Sequence, residues 1–238
     1  MIANNKIVVT GGSGRFASSL KRIRCKYNFI YPKKNELDIT KINTIVRYLK
    51  KEKPKYLLHL AGLSRPMIQH KKDIKKSINL NIIGTANLVS ICSNLNIKLI
   101  YFSTSYVYQG TRGNYNEIDP VLPWNNYAWS KLGGECSVQM YNNSLILRVC
   151  MTEKPFIHKT AFANVKLNFI FHEDLAKIII KVLHKKGIIN VGGKTRTVYN
   201  FAKEYNPKVK KSYINNKSTN AFPLKPYMDL HKLNKIIK

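Results

Sequence analysis

The stretch KIVVTGGSGRFA, residues 6–17, runs from a short apolar segment through a glycine-rich turn into a helix-like segment. Gly11, Gly14 and Ala17 are spaced as G-x-x-G-x-x-A, and small residues at this spacing let the backbone turn tightly and approach a pyrophosphate. The start of a helix also favours the negative charge of that group. The stretch therefore predicts a dinucleotide-binding turn, rather than an ordinary turn, with the cofactor-binding residues Gly11, Gly14, Arg15, Phe16 and Ala17.

The first two-thirds of the chain alternates short apolar runs with amphipathic stretches, which is typical of βαβ units around a parallel sheet. Strands are predicted at Lys6–Thr10, Asn28–Tyr31, Tyr56–Leu60, Lys98–Phe102 and Leu145–Val149. Helices are predicted over about 16–26, 41–51, 79–94 and 127–141. The predicted fold class is therefore α/β, a Rossmann-type doubly wound parallel sheet.

The pattern weakens beyond residue 150. A helix is predicted over 174–184, a strand over 188–191, and a mostly irregular tail over 206–238, which is rich in Lys and Asn. A chain of 238 residues suits one large domain, or one domain with a small appendage. We predict an NAD(P)-binding domain over 1–150 and a small, reduced C-terminal substrate-binding region and tail over 151–238, packed on the first.

The formal net charge of +29 raises the hypothesis of a nucleic-acid partner. The basic residues are spread along the chain, whereas a nucleic-acid reader concentrates them on one element and interleaves them with stacking aromatic side chains. Lysine is accompanied here by abundant Asn and Ile, as an A/T-biased coding sequence would produce. We therefore predict no specific nucleic-acid partner.

The sequence also bears on location. No apolar run approaches the ~20 residues that span a bilayer, and the start of the chain shows no signal-peptide pattern. The cysteines Cys25, Cys92, Cys136 and Cys150 have neither CxxC nor zinc spacing. We expect a cytoplasmic protein with free thiols, no metal site and no membrane span.

The end of the second predicted strand bears on cofactor choice. An NAD-type site usually has an acidic residue there to hold the ribose 2′-hydroxyl, whereas this strand is followed by Pro-Lys-Lys34. Lys33 is therefore predicted to face a 2′-phosphate, which favours NADP(H) over NAD(H), although both lysines are also compatible with an ordinary surface. Asp38 and Ile39 are predicted to line the adenine pocket, the alternative for Asp38 being a helix cap.

Small residues follow the third strand, where a cofactor can pass close to the backbone. Ala61 and Gly62 are therefore predicted cofactor-binding residues. His59, within the strand, is interpreted as a packed histidine and not as a catalytic one.

Tyr127 and Lys131 are four residues apart in a predicted helix and so share one face. A nearby ammonium favours a phenolate and lowers the tyrosine pKa, which suits proton exchange with a carbonyl or hydroxyl group. On its own the pair is also compatible with a solvated helix face. The hydroxyls of Ser103–Ser105, at the carboxyl end of the fourth strand, lie where open α/β sheets bind ligands.

Together these motifs resemble the extended short-chain dehydrogenase/reductases, and within them the dTDP-4-dehydrorhamnose reductase branch of sugar-nucleotide reductases. The resemblance covers residues 5–150 densely and later parts in patches. It is carried by the glycine-rich turn, the small residues after the third strand, Ser103–Gly110, Tyr127-x-x-x-Lys131, Leu37–Thr40, Ser130–Glu135 and Met228–Leu233.

The resemblance implies a catalytic triad. Thr104 would orient the C4 carbonyl oxygen of a sugar, Tyr127 would donate the proton, and Lys131 would hold the nicotinamide ribose and keep the tyrosine pKa low. Tyr127 and Lys131 would thus also contact the cofactor. The implied substrate-binding residues are Ser64, Arg65, Ser105, Tyr106, Trp124 and Met151.

The implied function is NAD(P)H-dependent reduction of a 4-keto-6-deoxy nucleotide sugar in surface-polysaccharide synthesis. Two alternatives stay open: a nucleotide-sugar epimerase of the same superfamily with bound NAD, and a non-catalytic NADP-binding regulatory subunit. Dehydratase chemistry is not expected, because the related 4,6-dehydratases carry Asp-Glu after the threonine and this chain carries Ser105-Tyr106.

The chain departs from the family pattern after the fifth strand. Only 23 residues separate Arg148 from His172, where the family usually has a longer insertion that covers the sugar nucleotide. This reduced segment is consistent with a smaller substrate or with a pocket completed by a partner subunit, for which a homodimer is one arrangement.

Overall fold

The computed structural model describes residues 5–156, 158–215 and 222–238. Its centre is a parallel sheet of six strands: β1 (Lys6–Thr10), β2 (Asn28–Ile30), β3 (Tyr56–His59), β4 (Lys98–Thr104), β5 (Ser144–Val149) and β10 (Gly187–Val191). Their order in the sheet is β2-β1-β3-β4-β5-β10. The predicted doubly wound α/β class is confirmed.

Helices cover both faces of the sheet. They are α1 (Arg15–Leu20), α2 (Ile42–Glu52), α3 (Gln69–Lys72), α4 (Ile74–Ile78), α5 (Gly84–Asn94), α6 (Asn126–Gln139), α7 (His172–Val182), α8 (Val198–Tyr205) and α9 (His231–Ile237). Helices α1, α7 and α9 bury side chains against one face, whereas α2, α5 and α6 bury theirs against the other.

Alternation along the strands explains the two layers. Successive side chains of a strand point to opposite faces, so Ile7 and Val9 of β1 pack with α1 and α7, while Val8 packs with α2 and α5. A strand covered on both faces must be apolar at nearly every position. For this reason, the strands could be predicted from apolar runs in the sequence.

The part of the chain after β5 forms a smaller layer with its own apolar cluster, which includes Phe156, Phe171 and Phe201. Short strand pairs connect it: β6 (Met151–Thr152) with β9 (Ile170–Phe171), β7 (Thr160–Phe162) with β12 (Lys210–Ser212), and β8 (Lys166–Leu167) with β11 (Arg196–Thr197). Strands of two or three residues show no period, so the sequence did not predict them. The division at residue 150 stays a prediction, and β10 from beyond it completes the central sheet.

Several predicted elements differ in detail. Helix α1 ends at Leu20 instead of near Lys26, because the chain turns after Leu20 and Ile23 packs into the core. The helix predicted from residue 79 begins with a π-helical turn at Asn79–Ile83, which α3 and α4 precede.

The tail predicted as mostly irregular contains β12 and α9. Helix α9 packs against α7 and β10 through Leu233, which is almost fully buried. Residues 216–221 of that tail lie outside the described residues. In the described part of the chain, no helix combines the length and apolar character that a membrane crossing requires.

Candidate active site

A cavity of about 850 Å³ lies at the carboxyl ends of β1, β3, β4 and β5. Parallel sheets bind ligands at this edge because the loops after the strands meet there. The predicted site residues that line the cavity are Gly11, Gly14, Arg15, Phe16, Ala17, Lys33, Asp38, Ile39, Ala61, Gly62, Ser64, Arg65, Thr104, Ser105, Tyr106, Tyr127, Lys131 and Met151. Trp124 does not line it; its ring lies behind Tyr106, with 5.1 Å between ring centroids.

The glycine-rich turn forms one end of the cavity. Gly11 has φ +73°, and a Cβ there would lie 2.6 Å from the backbone nitrogen of Ala61, so both the conformation and the space require glycine. Gly14 donates its N–H to the Gly11 carbonyl at 2.9 Å, which closes the turn before α1. Gly11 therefore lets the turn pack directly on the loop after β3. Gly11 and Gly14 both line the cavity, and small residues in such a turn fit a dinucleotide.

His59 connects this turn to the middle of the fold. Thr10 Oγ1 is 2.8 Å from His59 Nδ1, and His59 Nε2 is 3.0 Å from Thr85 Oγ1. Burial, reinforced by the charge of Lys131, lowers the pKa of His59 to about 3. The ring is therefore neutral and fully hydrogen-bonded inside the sheet, away from the cavity lining, which is the packing role predicted for it.

Lysines surround the end of β2. Lys21, Lys33 and Lys34 line the cavity beside Tyr31, and Lys21 Nζ lies 4.9 Å from the centroid of the Tyr31 ring. Asp38 is an acidic residue that also lines the cavity, and its Oδ1 accepts hydrogen bonds from both the N–H and the hydroxyl of Thr40. Burial alone would raise the Asp38 pKa, but these bonds and two lysines lower it.

Tyr127 enters the cavity from the first turn of α6. Asn125 caps this helix by accepting from the N–H of Ala128 at 2.8 Å. Ser130 donates to the Tyr127 carbonyl and accepts from Asn81 Nδ2. Asn81, within the π-helical turn, also bonds both backbone groups of Leu63, so the start of α6 is fixed to the loop after β3.

The pKa of the Tyr127 phenol is raised, whereas the sequence predicted a lowered pKa. Burial raises its pKa above the ordinary value, although a hydrogen bond with Thr104 and the charge of Arg65 act in the opposite direction. Lys131, which was expected to lower this pKa, is not among the groups that shift it. Tyr127 is therefore protonated at neutral pH, which suits a proton donor.

Lys131 is buried one turn further along α6. Its Nζ lies 4.1 Å from the centroid of the Tyr101 ring, a cation–π contact. Burial lowers the Lys131 pKa to about 7, while the carboxylate of Glu135 raises it. The lysine thus changes its protonation state near neutral pH, and an anion that enters the cavity would stabilise its charged form.

Glu153 and His172 are among the cavity residues that the sequence analysis missed. Glu153 pairs with Arg15 at 2.7 Å and with Arg65 at 3.2 Å, and His172 packs edge-on against Phe16 at 5.7 Å. Both follow two-residue strands, where no spacing motif marks them. Their position is decided by how the C-terminal segment folds back over the turn.

Ser105, Tyr106, Cys150 and Met151 also line the cavity. The buried Ser105 hydroxyl makes no hydrogen bond of normal geometry within the described part of the chain. It lies close to the Cys150 thiol. Burial raises the pKa of that thiol, and the nearby Ser105 hydroxyl acts to lower it. These residues bring hydroxyl, thiol, thioether and aromatic groups to the cavity lining.

The parallel sheet, the glycine-rich turn and the cavity at the strand ends define a Rossmann-type dinucleotide-binding fold. A family model for the RmlD substrate binding domain matches residues 5–156, more than half of the chain. The chain belongs to that family, which confirms the resemblance seen in the sequence.

Solved structures share the whole fold. The dTDP-4-dehydrorhamnose reductase from Bacillus anthracis in complex with NADP has a TM-score of 0.86 at 23% identity, covering 98% of this chain and 92% of that one. A hypothetical dTDP-4-dehydrorhamnose reductase from Sulfolobus tokodaii has a TM-score of 0.83 at 24% identity, covering 97% and 94%. At these identities the likeness shows the fold alone.

Curated relatives are more varied. Methionine adenosyltransferase 2 subunit beta from Pongo abelii is 26% identical over 159 residues, 62% of this chain and 47% of that protein. A probable low-salt glycan biosynthesis reductase from Haloferax volcanii is 31% identical over 120 residues, 48% of this chain and 39% of that protein. The chain spans about half the length or less of these relatives.

Proposed function

We propose that this protein is an NAD(P)H-dependent reductase of a 4-keto-6-deoxy nucleotide sugar, acting in the synthesis of surface-polysaccharide sugars. The observation that carries the proposal is the placement of Thr104, Tyr127 and Lys131 along one wall of a cavity that begins at the glycine-rich turn. Similarity to a glycan biosynthesis reductase supports it.

A nicotinamide bound in this cavity would supply hydride to the substrate carbon. Thr104, hydrogen-bonded to the Tyr127 phenol, orients the substrate carbonyl oxygen. Tyr127 donates its proton to that oxygen, a role that its raised pKa supports. Lys131 would hold the cofactor ribose, and Ser64 and Arg65, in the loop after β3, would contact the substrate.

NADP(H) is the proposed cofactor in preference to NAD(H). Three lysines line the cavity at the end of β2, while the carboxylate of Asp38 is already bonded to Thr40. A structure of similar fold was solved with NADP. The test is the double variant Lys33→Glu, Lys34→Glu. It should weaken NADPH binding much more than NADH binding, as measured by fluorescence titration. Equal losses of affinity for the two cofactors would count against the preference for NADP(H).

The reductase is tested by NADPH oxidation, followed at 340 nm, with dTDP-4-keto-6-deoxyhexoses. Oxidation that depends on the sugar is the expected result. Tyr127→Phe should still bind NADPH and should lose turnover by about 10²–10⁴-fold, the usual contribution of a proton donor. No oxidation with any such sugar would remove the reductase proposal.

A second candidate is a non-catalytic NADP-binding subunit. The observation that favours it is the similarity to methionine adenosyltransferase 2 subunit beta. The discriminating experiment adds this chain to a methionine adenosyltransferase catalytic subunit and measures binding and activity. A regulatory subunit should act equally well as wild type and as Tyr127→Phe, whereas a reductase should not bind that subunit.

A further inference from the structure

Three charged side chains from distant parts of the chain meet at the cavity edge. Arg15 follows the glycine-rich turn, Arg65 follows β3, and Glu153 follows β6. Glu153 Oε1 is 2.7 Å from Arg15 Nη1 and 3.2 Å from Arg65 Nη1. One carboxylate oxygen therefore holds two guanidinium groups, and the cluster keeps one net positive charge.

Arg65 lies in the loop after β3, which is held against the first turn of α6, the turn that carries Tyr127. The Asn81 side chain makes this link, because it bonds both backbone groups of Leu63 and donates to the Ser130 hydroxyl.

The guanidinium charge of Arg65 lowers the pKa of Tyr127 and of Tyr106, and it also acts on His172. These side chains line the cavity with Arg65. The ion pair with Glu153 at 3.2 Å gives a partner to this arginine, whose side chain is 51% exposed.

Other groups also face Tyr127. His70 lies 5.3 Å from it between ring centroids, and Tyr106 lies at 6.3 Å. Lys131 follows on the same helix face, yet its pKa of about 7 leaves it only partly charged at neutral pH. Arginine stays protonated throughout the working range, so Arg65 provides a positive charge that does not vary with pH.

We propose that Arg65 is a positioning residue for Tyr127: oriented by Glu153, its guanidinium stabilises the phenolate that forms when Tyr127 gives its proton to the substrate oxygen. This role rests on the proposed reductase function. In that step the phenol O–H bond breaks and the proton bonds to the carbonyl oxygen. The carbonyl carbon gains hydride from NADPH, which becomes NADP⁺, and the phenolate later recovers a proton from water.

The direct test measures the ionisation of Tyr127 in the free, full-length chain, with no substrate or cofactor. Tyrosine is replaced by 3-fluorotyrosine, whose phenol titrates at lower pH, and the Tyr127 signal in the ¹⁹F NMR spectrum is assigned with Tyr127→Phe. Arg65→Gln should move this titration upward by about one pH unit, as expected for loss of a nearby opposite charge. Arg65→Lys should restore part of the shift.

Arg22→Gln is the matched control. Arg22 forms a comparable exposed ion pair with Glu173 at 3.0 Å and does not line the cavity, so its loss should leave the Tyr127 titration in place. An unmoved titration in folded Arg65→Gln, or an equal shift in Arg22→Gln, would overturn the proposal.

Turnover separates the two proposals. In an active reductase, Arg65→Gln should lower kcat about tenfold and move the pH profile with the Tyr127 titration. A moved titration in a chain that reduces no keto sugar would remove the reductase function and retain the electrostatic coupling. Wild-type turnover in Arg65→Gln would remove the role of Arg65 and leave the reductase intact.

Discussion

Arg148 of β5 and Glu135 of α6 form an ion pair inside the fold, with 2.6 Å between Nη2 and Oε1. Ser103 donates to the other carboxylate oxygen, and Tyr108 accepts from Arg148 Nη1 at 2.8 Å. Both charged side chains are almost fully buried, at 4% and 0% exposure. The pair thus fixes α6, which carries Tyr127 and Lys131, to the centre of the sheet.

Removing one member of this pair should be strongly destabilising. Glu135→Gln leaves the Arg148 charge buried without its counter-charge, which costs about 3–5 kcal/mol in comparable cases. The free energy of unfolding in urea is the measurement. Asp174→Asn, which breaks the exposed Lys177–Asp174 pair, is the control and should cost less than ~1 kcal/mol. Equal losses would contradict the assignment.

Cofactor affinity should depend on pH through Lys131. Its pKa of about 7 lies below the ordinary value of a lysine because the side chain is buried. Below pH 7 the lysine is already charged, so affinity should be flat; above it, binding must take up a proton and the Kd for NADPH should rise toward tenfold per pH unit.

Lys131→Met tests that cause. The variant should bind NADPH more weakly and lose this pH dependence between pH 7 and 9, as followed by fluorescence titration. An unchanged slope would assign the dependence to another group.

Gly11 should be sensitive to a single added methyl group. Gly11→Ala places a Cβ 2.6 Å from the backbone of Ala61, in addition to left-handed strain at φ +73°. Gly187 has φ +78° with nothing within 4 Å of an added Cβ, so Gly187→Ala isolates the strain, about 1–2 kcal/mol.

We expect Gly11→Ala to lose more stability than Gly187→Ala in thermal unfolding. We also expect it alone to lose NADPH affinity. Similar behaviour of the two variants would show that the close approach to Ala61 is unimportant.

His59 should make the fold sensitive to acid. Its pKa is about 3 in the folded chain and ~6.5 in an unfolded one. Between these values the unfolded state binds the extra proton, so the free energy of unfolding falls as pH drops from 6.5 toward 3, by up to ~1.4 kcal/mol per pH unit. Above pH 6.5 this contribution is constant.

The test for His59 compares how steeply the free energy of unfolding depends on pH in different variants. His59→Gln should flatten the dependence of unfolding free energy on pH between 6.5 and 3, whatever its effect on stability itself. His231→Gln, at an exposed histidine, should leave the slope as in the wild type. A persistent slope in His59→Gln would assign acid sensitivity elsewhere.

The parts of the fold that the sequence predicted well are those with a repeating physical signal. The strands β1, β3, β4 and β5 are apolar on both faces, and the helices between them carry a 3.6-residue period. The glycine-rich turn could be predicted because few residues other than glycine tolerate its geometry. The short strands after β5 and the π-helical turn at Asn79–Ile83 have no such signal, and they form through long-range contacts.

For the candidate site, the sequence by itself determined which groups reach the cavity. Gly11, Thr104, Tyr127 and Lys131 lie at strand ends or on one helix face, positions that chain order and period fix. The sequence therefore predicted that these residues lie together.

Only the tertiary structure decided the electrostatics of these groups. Tyr127 has a raised pKa and Lys131 a lowered one because burial depends on what packs around them. Glu153 joins Arg15 to Arg65 because a segment from after the sheet folds back over the turn. Local sequence specifies periods and turns, whereas burial and charge pairing arise from residues that are distant in the chain and close in space.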